Sequence, residues 1–332
     1  MPDTVRRNGI ARIDAKFYWP ATWPLLKHGP SIATRPTEYL LTPGNRFRKA
    51  LESEKPLQIA GTINAYCALM AERTGFKAIY LSGAGVANAS FGMPDLGMTS
   101  MTDVVADIRR IVSVTEVPLL VDADTGWGHA LCIARTVQSF IAAGAAGLHI
   151  EDQQAAKRCG HRPNKALVPT EEMEDRIRAC VDARTDESFV IMARTDAIAS
   201  EGVQPAIDRC MRYVEAGADM IFAEAITDPQ QYREFTNTVS VPVLANMTEF
   251  GKSPLLDLDQ LNDAGVAMVL YPLSAFRAMN AAALKVFQQL KKHGTQKDVL
   301  DSMQTREELY DFLNYHKYEQ QIDAILEKAQ SK

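Results

Sequence analysis

Residues 119–152 read LLVDADTGWGHALCIARTVQSFIAAGAAGLHIED, and this stretch decides the fold. An apolar run, Leu119–Asp124, ends in carboxylates; a helix-like stretch follows; Gly144 then precedes a second apolar run, Gly147–Asp152, which also ends in acids. Short apolar, β-branched runs bounded by turn residues read as strands, and glycine just past a helix supplies its left-handed cap. The stretch is therefore one strand, one helix and a second strand.

Working outward, the same unit repeats. The runs Gln58–Ile63, Ala78–Gly83, Phe189–Asp196, Met220–Ala225, Val243–Thr248 and Met268–Pro272 bring the number of expected strands to eight. Gly75, Gly217 and Gly265 stand before strands as Gly144 does. Val104, Val105, Ile108, Ile111 and Val112 recur at helical spacing behind Ser100-Met101-Thr102-Asp103, a cap with an acidic first turn. Eight consecutive units of this kind predict an α/β fold of (β/α)8 TIM type. An open dinucleotide-binding sheet would carry a G-x-G-x-x-G turn; Gly83-Ala84-Gly85 lacks the third glycine.

The expected organisation is an N-terminal extension over 1–45, a barrel over 46–292 and a C-terminal helical segment over 293–332, where Thr305-Arg306-Glu307-Glu308 reads as a capping box. With 332 residues the chain is long enough for such a barrel plus these additions. The net charge of −5 gives no electrostatic reason to expect a nucleic-acid partner, and no apolar run is long enough for a membrane helix. Five cysteines, an odd number without a C-x-x-C pair, point to reduced thiols and a cytoplasmic setting. Cys67, Cys132, Cys180 and Cys210 sit among apolar residues and read as core. Cys159 differs: Lys157, Arg158, His161 and Arg162 surround it, and cationic neighbours lower a thiol's pKa.

Active sites of such barrels lie at the C-terminal strand ends. There the sequence places Tyr80 and Ser82, Asp122 and Asp124, Glu151, Arg194 and Asp196, Glu224, and Asn246 with Thr248. Asp122 and Asp124, two apart on a strand, are expected to point the same way and to need a divalent cation between them. Magnesium suits one or two carboxylates, with Glu151 and Glu224 holding its waters; arginines around the pair are the competing explanation. Arg194 and Arg277 are candidates to grip carboxylates, Asn246-Met247-Thr248 supplies neutral donors, and Ser82-Gly83-Ala84 offers a hydroxyl and backbone N–H groups. These describe a pocket for a small polyanion.

Several stretches resemble the isocitrate lyase and phosphoenolpyruvate mutase superfamily, and within it the branch that cleaves methylisocitrate. They are Ser82-Gly83, Pro94-Asp95-Leu96-Gly97, Val121-Asp122-Ala123-Asp124, His149-Ile150-Glu151-Asp152-Gln153, Lys157-Arg158-Cys159-Gly160-His161 and Ala193-Arg194-Thr195-Asp196, with the runs 157–165, 245–250, 270–280 and 294–297 in support. The resemblance implies a retro-aldol cleavage of the tricarboxylate (2S,3R)-2-methylisocitrate to pyruvate and succinate, with magnesium as cofactor and manganese as the alternative ion. It implies Asp122 and Asp124 as metal carboxylates, with Glu151 and Glu224 in the surrounding shell. Substrate contacts are expected from Ser82, Gly83, Ala84, Cys159, Gly160, Arg194, Glu224, Asn246, Met247, Thr248, Arg277 and Arg306.

In the implied mechanism Tyr80 is the base, a nearby cation lowering its pKa, and Cys159 protonates the carbanion from the opposite face. Phe222 and Leu270 would line a pocket for the substrate methyl. The resemblance further implies a homotetramer whose C-terminal helix is exchanged between subunits. The nearest rival is isocitrate cleavage to glyoxylate and succinate, since the two substrates differ by one methyl. Ala84 departs from the glycine usual in the family.

Overall fold

The computed structural model describes residues 41–157 and 166–330. Its centre is a closed parallel barrel whose eight strands neighbour one another in chain order, as expected. The strands are β1 (Leu57–Gly61), β2 (Ala78–Leu81), β3 (Leu119–Asp122), β4 (Gly147–Glu151), β5 (Val190–Thr195), β6 (Met220–Ala223), β7 (Val243–Asn246) and β8 (Met268–Tyr271). All eight expected runs form strands, but each stops one or two residues early. The chain leaves the sheet where the polar residues begin, and Asp124 and Ala225 take positive φ, which a strand excludes.

Helices cover the outside. They include α1 (Pro43–Ser53), α2 (Ala65–Thr74), the short α3 (Gly83–Gly85), α4 (Met101–Val112), α5 (Ala130–Ala143) and α6 (Thr170–Asp182). Further along come α7 (Ile198–Glu201), α8 (Val203–Glu215), α9 (Pro229–Thr238), α10 (Leu258–Asp263), α11 (Ser274–His293), α12 (Arg306–Phe312) and α13 (Tyr315–Gln330). The caps read from sequence are present. Ser100 and Asp103 form a reciprocal capping box on α4, and Thr305 and Glu308 do so on α12. The four glycines expected behind helices all have positive φ.

Two apolar layers follow from the period-two alternation of a strand. Ile79, Leu81, Leu119, Val121, Leu148, Ile150, Ile191 and Ala193 belong to the layer between sheet and helices. Ile59, Tyr80, Leu120, Val190, Met192, Phe222, Leu244 and Leu270 fill the barrel interior. Because both faces are covered, the strands are nearly continuous in apolar character. Cys67, Cys180 and Cys210 are buried as expected, whereas Cys132 is only half-buried.

The interior is closed at the N-terminal end of the strands by α1. Phe47 and Ala50 project from it into the interior cluster, Phe47 with no exposed surface. α1 seats closely: a Cβ on Gly44 would lie 2.3 Å from the Ser188 carbonyl oxygen, so only glycine allows this approach. Arg48 adds an ion pair to Asp219 at 3.1 Å and a hydrogen bond to the Ser188 carbonyl at 3.0 Å. Replacing Phe47 with alanine should open a cavity at the barrel floor and lower the unfolding free energy by about 3–5 kcal/mol. Denaturant unfolding checks this, and a loss under about 1 kcal/mol would show that α1 does not carry the floor.

Candidate functional site

The inward-facing positions nearest the C-terminal ends of the strands are polar, and strand register sets which of them are neighbours. Asp122 pairs with His149, Glu151 with Arg194, Arg194 with Phe222 and Asn246 with Leu270. Each of these side chains is therefore delivered to one layer by the same alternation that buries Leu120 and Met192 below.

Asp122 closes β3, and Asp124 lies past it with φ of 47°. The expectation that the two share a strand face is thus corrected: a left-handed turn brings them together, with the Asp124 N–H donating to Asp122 Oδ1 at 3.0 Å. The Gly83 N–H donates to Asp122 Oδ2 at 3.0 Å. A Cβ on Gly83 would lie 3.0 Å from Asp124 Oδ1 and 3.2 Å from Asp122 Oδ2, so both carboxylates crowd that backbone. Lys157, expected to serve the thiol of Cys159, is buried and ion-paired with Asp124 and, at 2.6 Å, with Asp95. Cys159 and Gly160 lie outside the described residues.

The pair titrates unevenly. Burial opposes ionisation of Asp122, but the facing His149, Lys157 and Arg194 hold its carboxyl well below the usual range. Burial, and next the charge on Asp122, push Asp124 up to about 7. Glu151 is also raised, chiefly by burial. His149 is lowered to about 4 by burial and is neutral near pH 7, so Lys157 and Arg194 are the cations that sustain the Asp122 charge there.

Tyr80 is buried, its hydroxyl 2.8 Å from His149 Nε2 and 3.3 Å from Asp122 Oδ2. Burial and Asp122 raise its pKa well above the ordinary phenol value, and the nearby Arg194 charge does not offset them. The expected lowering by a cation is therefore not supplied by the protein's own charges. His149 was missed by sequence reasoning as a functional group, although it sits two residues before Glu151 and must share its face. Its Nδ1 has no hydrogen-bond partner, and its ring meets Phe222 edge-on at 5.1 Å.

Arg194 is enclosed by carboxylates. Its Nε and Nη2 donate to Asp196 Oδ2 and Oδ1 at 3.0 and 3.2 Å, while Nη1 is 3.4 Å from Glu151 and Nη2 is 3.2 Å from Glu224. The guanidinium lies over the Phe222 ring at 5.1 Å. Glu224, just beyond β6, accepts from Asn246 Nδ2 at 3.2 Å and from the N–H of Ala225, which has φ of 62°. Met247 and Thr248 are buried past β7, Ser82 and Gly83 are buried past β2, Ala84 is half-buried and Leu270 lies in the interior.

Two expected arginines sit apart from this network. Arg277 lies in the first turn of α11, 43% exposed, 3.5 Å from Glu249 and 5.8 Å from the Phe250 ring. Arg306 is exposed at the start of α12, which packs on α2 through Tyr66, Arg73 and Phe312. A cleft of about 550 Å³ beside Glu54, Gln58, Phe76 and Asp259 contains none of the groups described above.

A divalent cation fits the carboxylate pair. Among the described residues no group of three or more His, Cys, Asp or Glu side chains forms a ready-made metal cage. Two adjacent carboxylates with hard oxygens, with a buried oxygen of nearby Glu151 that has no hydrogen-bond partner, suit an ion that keeps several waters.

Residues 47–291 match the family described as phosphoenolpyruvate phosphomutase. The chain is 62% identical over 282 residues to the 2-methylisocitrate lyase of Shewanella oneidensis, covering 85% of this chain and 97% of the relative. It is 61% identical over 294 residues to the 2-methylisocitrate lyase of Escherichia coli, covering 88% and 99%. Among solved structures, 2,3-dimethylmalate lyase superposes with a TM-score of 0.79 at 32% identity, covering 86% of this chain and 96% of that one. Oxaloacetate acetylhydrolase does so with a TM-score of 0.79 at 29% identity, covering 86% and 97%.

A cation entering the pair must displace the proton that Asp124 retains below about 7. Magnesium affinity should accordingly rise with pH toward that value, by roughly tenfold per unit, and level off above it. Calorimetry in buffers of different ionisation enthalpy should register proton release on the acid side and little on the basic side. An affinity independent of pH across this range would mean that Asp124 is ionised throughout.

Proposed function

Since this chain belongs to the phosphoenolpyruvate phosphomutase family of the isocitrate lyase superfamily, we propose that it is a lyase that cleaves (2S,3R)-2-methylisocitrate to pyruvate and succinate. The observation that carries the reading is the identity of about 60% to curated 2-methylisocitrate lyases across nearly their whole length. The site geometry supports it: an acidic pair, a hydroxyl-bearing ring beside it and a clamped arginine make a mouth fit for a small polyanion.

In this reading Asp122 and Asp124 would hold magnesium, or manganese in its place, with Glu151 and Glu224 in the surrounding shell. When bound, the ion would offset the charge of the pair and supply Lewis-acid polarisation to the 2-hydroxy acid half. Tyr80 takes the substrate hydroxyl proton as a phenolate, a form the bound cation would favour, from its place 2.8 Å from His149 Nε2. The carbinol carbon becomes the ketone of pyruvate, and the bond to the adjacent carbon breaks. The released electron pair spreads into the carboxylate of the succinate half. Cys159 donates a proton to that carbon, completing succinate.

Arg194 and Arg277, with Asn246, Met247, Thr248 and the N–H groups of Ser82, Gly83 and Ala84, grip the substrate carboxylates; Gly160 and Arg306 complete the contacts. Phe222 and Leu270 border the substrate methyl. A cytoplasmic homotetramer belongs to the same reading. Leu284 and Phe287 on α11 and Ile322, Ile325 and Leu326 on α13 are exposed, and exchange of the C-terminal segment with a neighbour would cover such apolar surface.

Measured kcat/KM should favour 2-methylisocitrate over isocitrate by roughly 10- to 100-fold, the discrimination one methyl can give in an apolar pocket. Chelation should abolish turnover and magnesium restore it. Tyr80→Phe and Cys159→Ser should each lower kcat by about 100-fold or more. A preference for isocitrate would overturn the substrate assignment, and full activity of Cys159→Ser would remove Cys159 as proton donor.

A further inference from the structure

Behind Arg194 lies a buried network that the proposed chemistry does not use. Asp152, the first residue after β4, has no exposed surface. Its carboxylate accepts three hydrogen bonds from neutral donors: Thr195 Oγ1 at 2.7 Å and the Tyr213 hydroxyl at 3.0 Å on Oδ2, and the Asp196 N–H at 2.9 Å on Oδ1. Its backbone is fixed as well. The N–H donates to the Arg194 carbonyl at 3.2 Å, and the carbonyl accepts from Val168 at 2.9 Å.

The network continues outward. The Tyr213 hydroxyl accepts from Arg209 Nη1 at 3.3 Å, and Arg209 is held by Glu201 through two bonds of 2.7 Å. Inward, the turn that Asp152 holds is the one carrying Asp196, whose two oxygens grip the Nε and Nη2 edge of Arg194. That grip has competition, because Glu151 and Glu224 stand within 3.4 and 3.2 Å of the same guanidinium. Were the Asp196 turn free to move, those carboxylates would draw the guanidinium out of its present plane.

A buried carboxylate adds little net stability over a packed apolar side chain of similar size. What its fixed acceptors supply is direction. Resting on the reading above, we infer that Asp152 is a positioning residue: by fixing the turn that carries Asp196, it sets the plane in which Arg194 meets a substrate carboxylate. Tyr213 supports it from behind, outside contact with substrate.

The test compares Tyr213→Phe and Asp152→Asn with the unmodified full-length protein, all loaded with magnesium. KM and kcat for 2-methylisocitrate are measured, together with calorimetric Kd values for pyruvate, succinate and magnesium. Tyr213→Phe removes one donor without opening a cavity, and should raise KM by roughly three- to tenfold while kcat stays within about twofold. The Kd of the product that Arg194 grips should rise by the same factor, and the Kd for magnesium should not move. Asp152→Asn should show the same pattern with a larger factor.

A merely structural role would lower the melting temperature and leave KM and both product Kd values unchanged, and that outcome overturns the inference. A fall in kcat at constant KM also overturns it. If Asp152→Asn does not fold, Tyr213→Phe decides alone. The proposed function fails separately, if the unmodified protein does not turn over 2-methylisocitrate. The ratio of variant to unmodified product binding would then still report on Asp152.

Discussion

The crowding of carboxylates in a buried space is the constraint on which the upper half of the barrel depends. Asp122, Asp124, Glu151, Asp196 and Glu224 are all buried there, and among the described residues their ion-pairing cations are Lys157 and Arg194. Each charge taken from water without a partner costs several kcal/mol, so carboxylates crowded this closely resist ionisation. Burial first, and neighbouring negative charge after it, raise the pKa values of Asp124 and Glu151. A dication at the acidic pair would favour the ionised form of both carboxylates. The crowding that makes ionisation costly there is thus the same feature that suits the pair to a cation.

Three non-glycine residues with positive φ stand just beyond barrel strands: Asp124, Ala225 and Phe250. Such conformations cost about 1–2 kcal/mol each and persist where the surroundings over-determine them. At two of the three the determining contact is visible. The Asp124 N–H is taken by Asp122, and the Ala225 N–H by the carboxylate of Glu224. The turns thus aim carboxylates inward that a continuing strand would have spread along its length.

This also explains what could be read in the sequence and what could not. The eight strands, their order and the caps at Ser100 and Thr305 follow from local periodicity and side-chain chemistry, so they were legible. The polar residues at the strand ends were legible for the same reason, since alternation carries Tyr80, Asp122, Glu151 and Arg194 to one interior layer. The left-handed turn at Asp124 was hidden because aspartate there does not announce positive φ as glycine would. The union of Lys157 with Asp95 was hidden because it joins loops distant in sequence, and nothing local to either residue specifies it. His149 was overlooked for another reason: a lone histidine in a strand is more often packing than chemistry, and its partner Tyr80 is two strands away.

The two arginines expected to hold substrate divide the mouth into unlike halves. Arg194 is buried, clamped by Asp196 and stacked on Phe222, so its rotamer entropy has already been lost on folding. Arg277 is nearly half exposed on the first turn of a helix, with a long contact to Glu249 and a distant one to Phe250. A group fixed in advance contributes direction on binding at little entropic cost, whereas a solvated one must be ordered by the ligand itself. The fixed half also carries the acidic pair, Tyr80 and His149, all tied to barrel strands or their immediate ends. Geometry that must be accurate to a fraction of an ångström is thus built on the sheet, while a group on the helix above it, such as Arg277, would have to be ordered by whatever it meets.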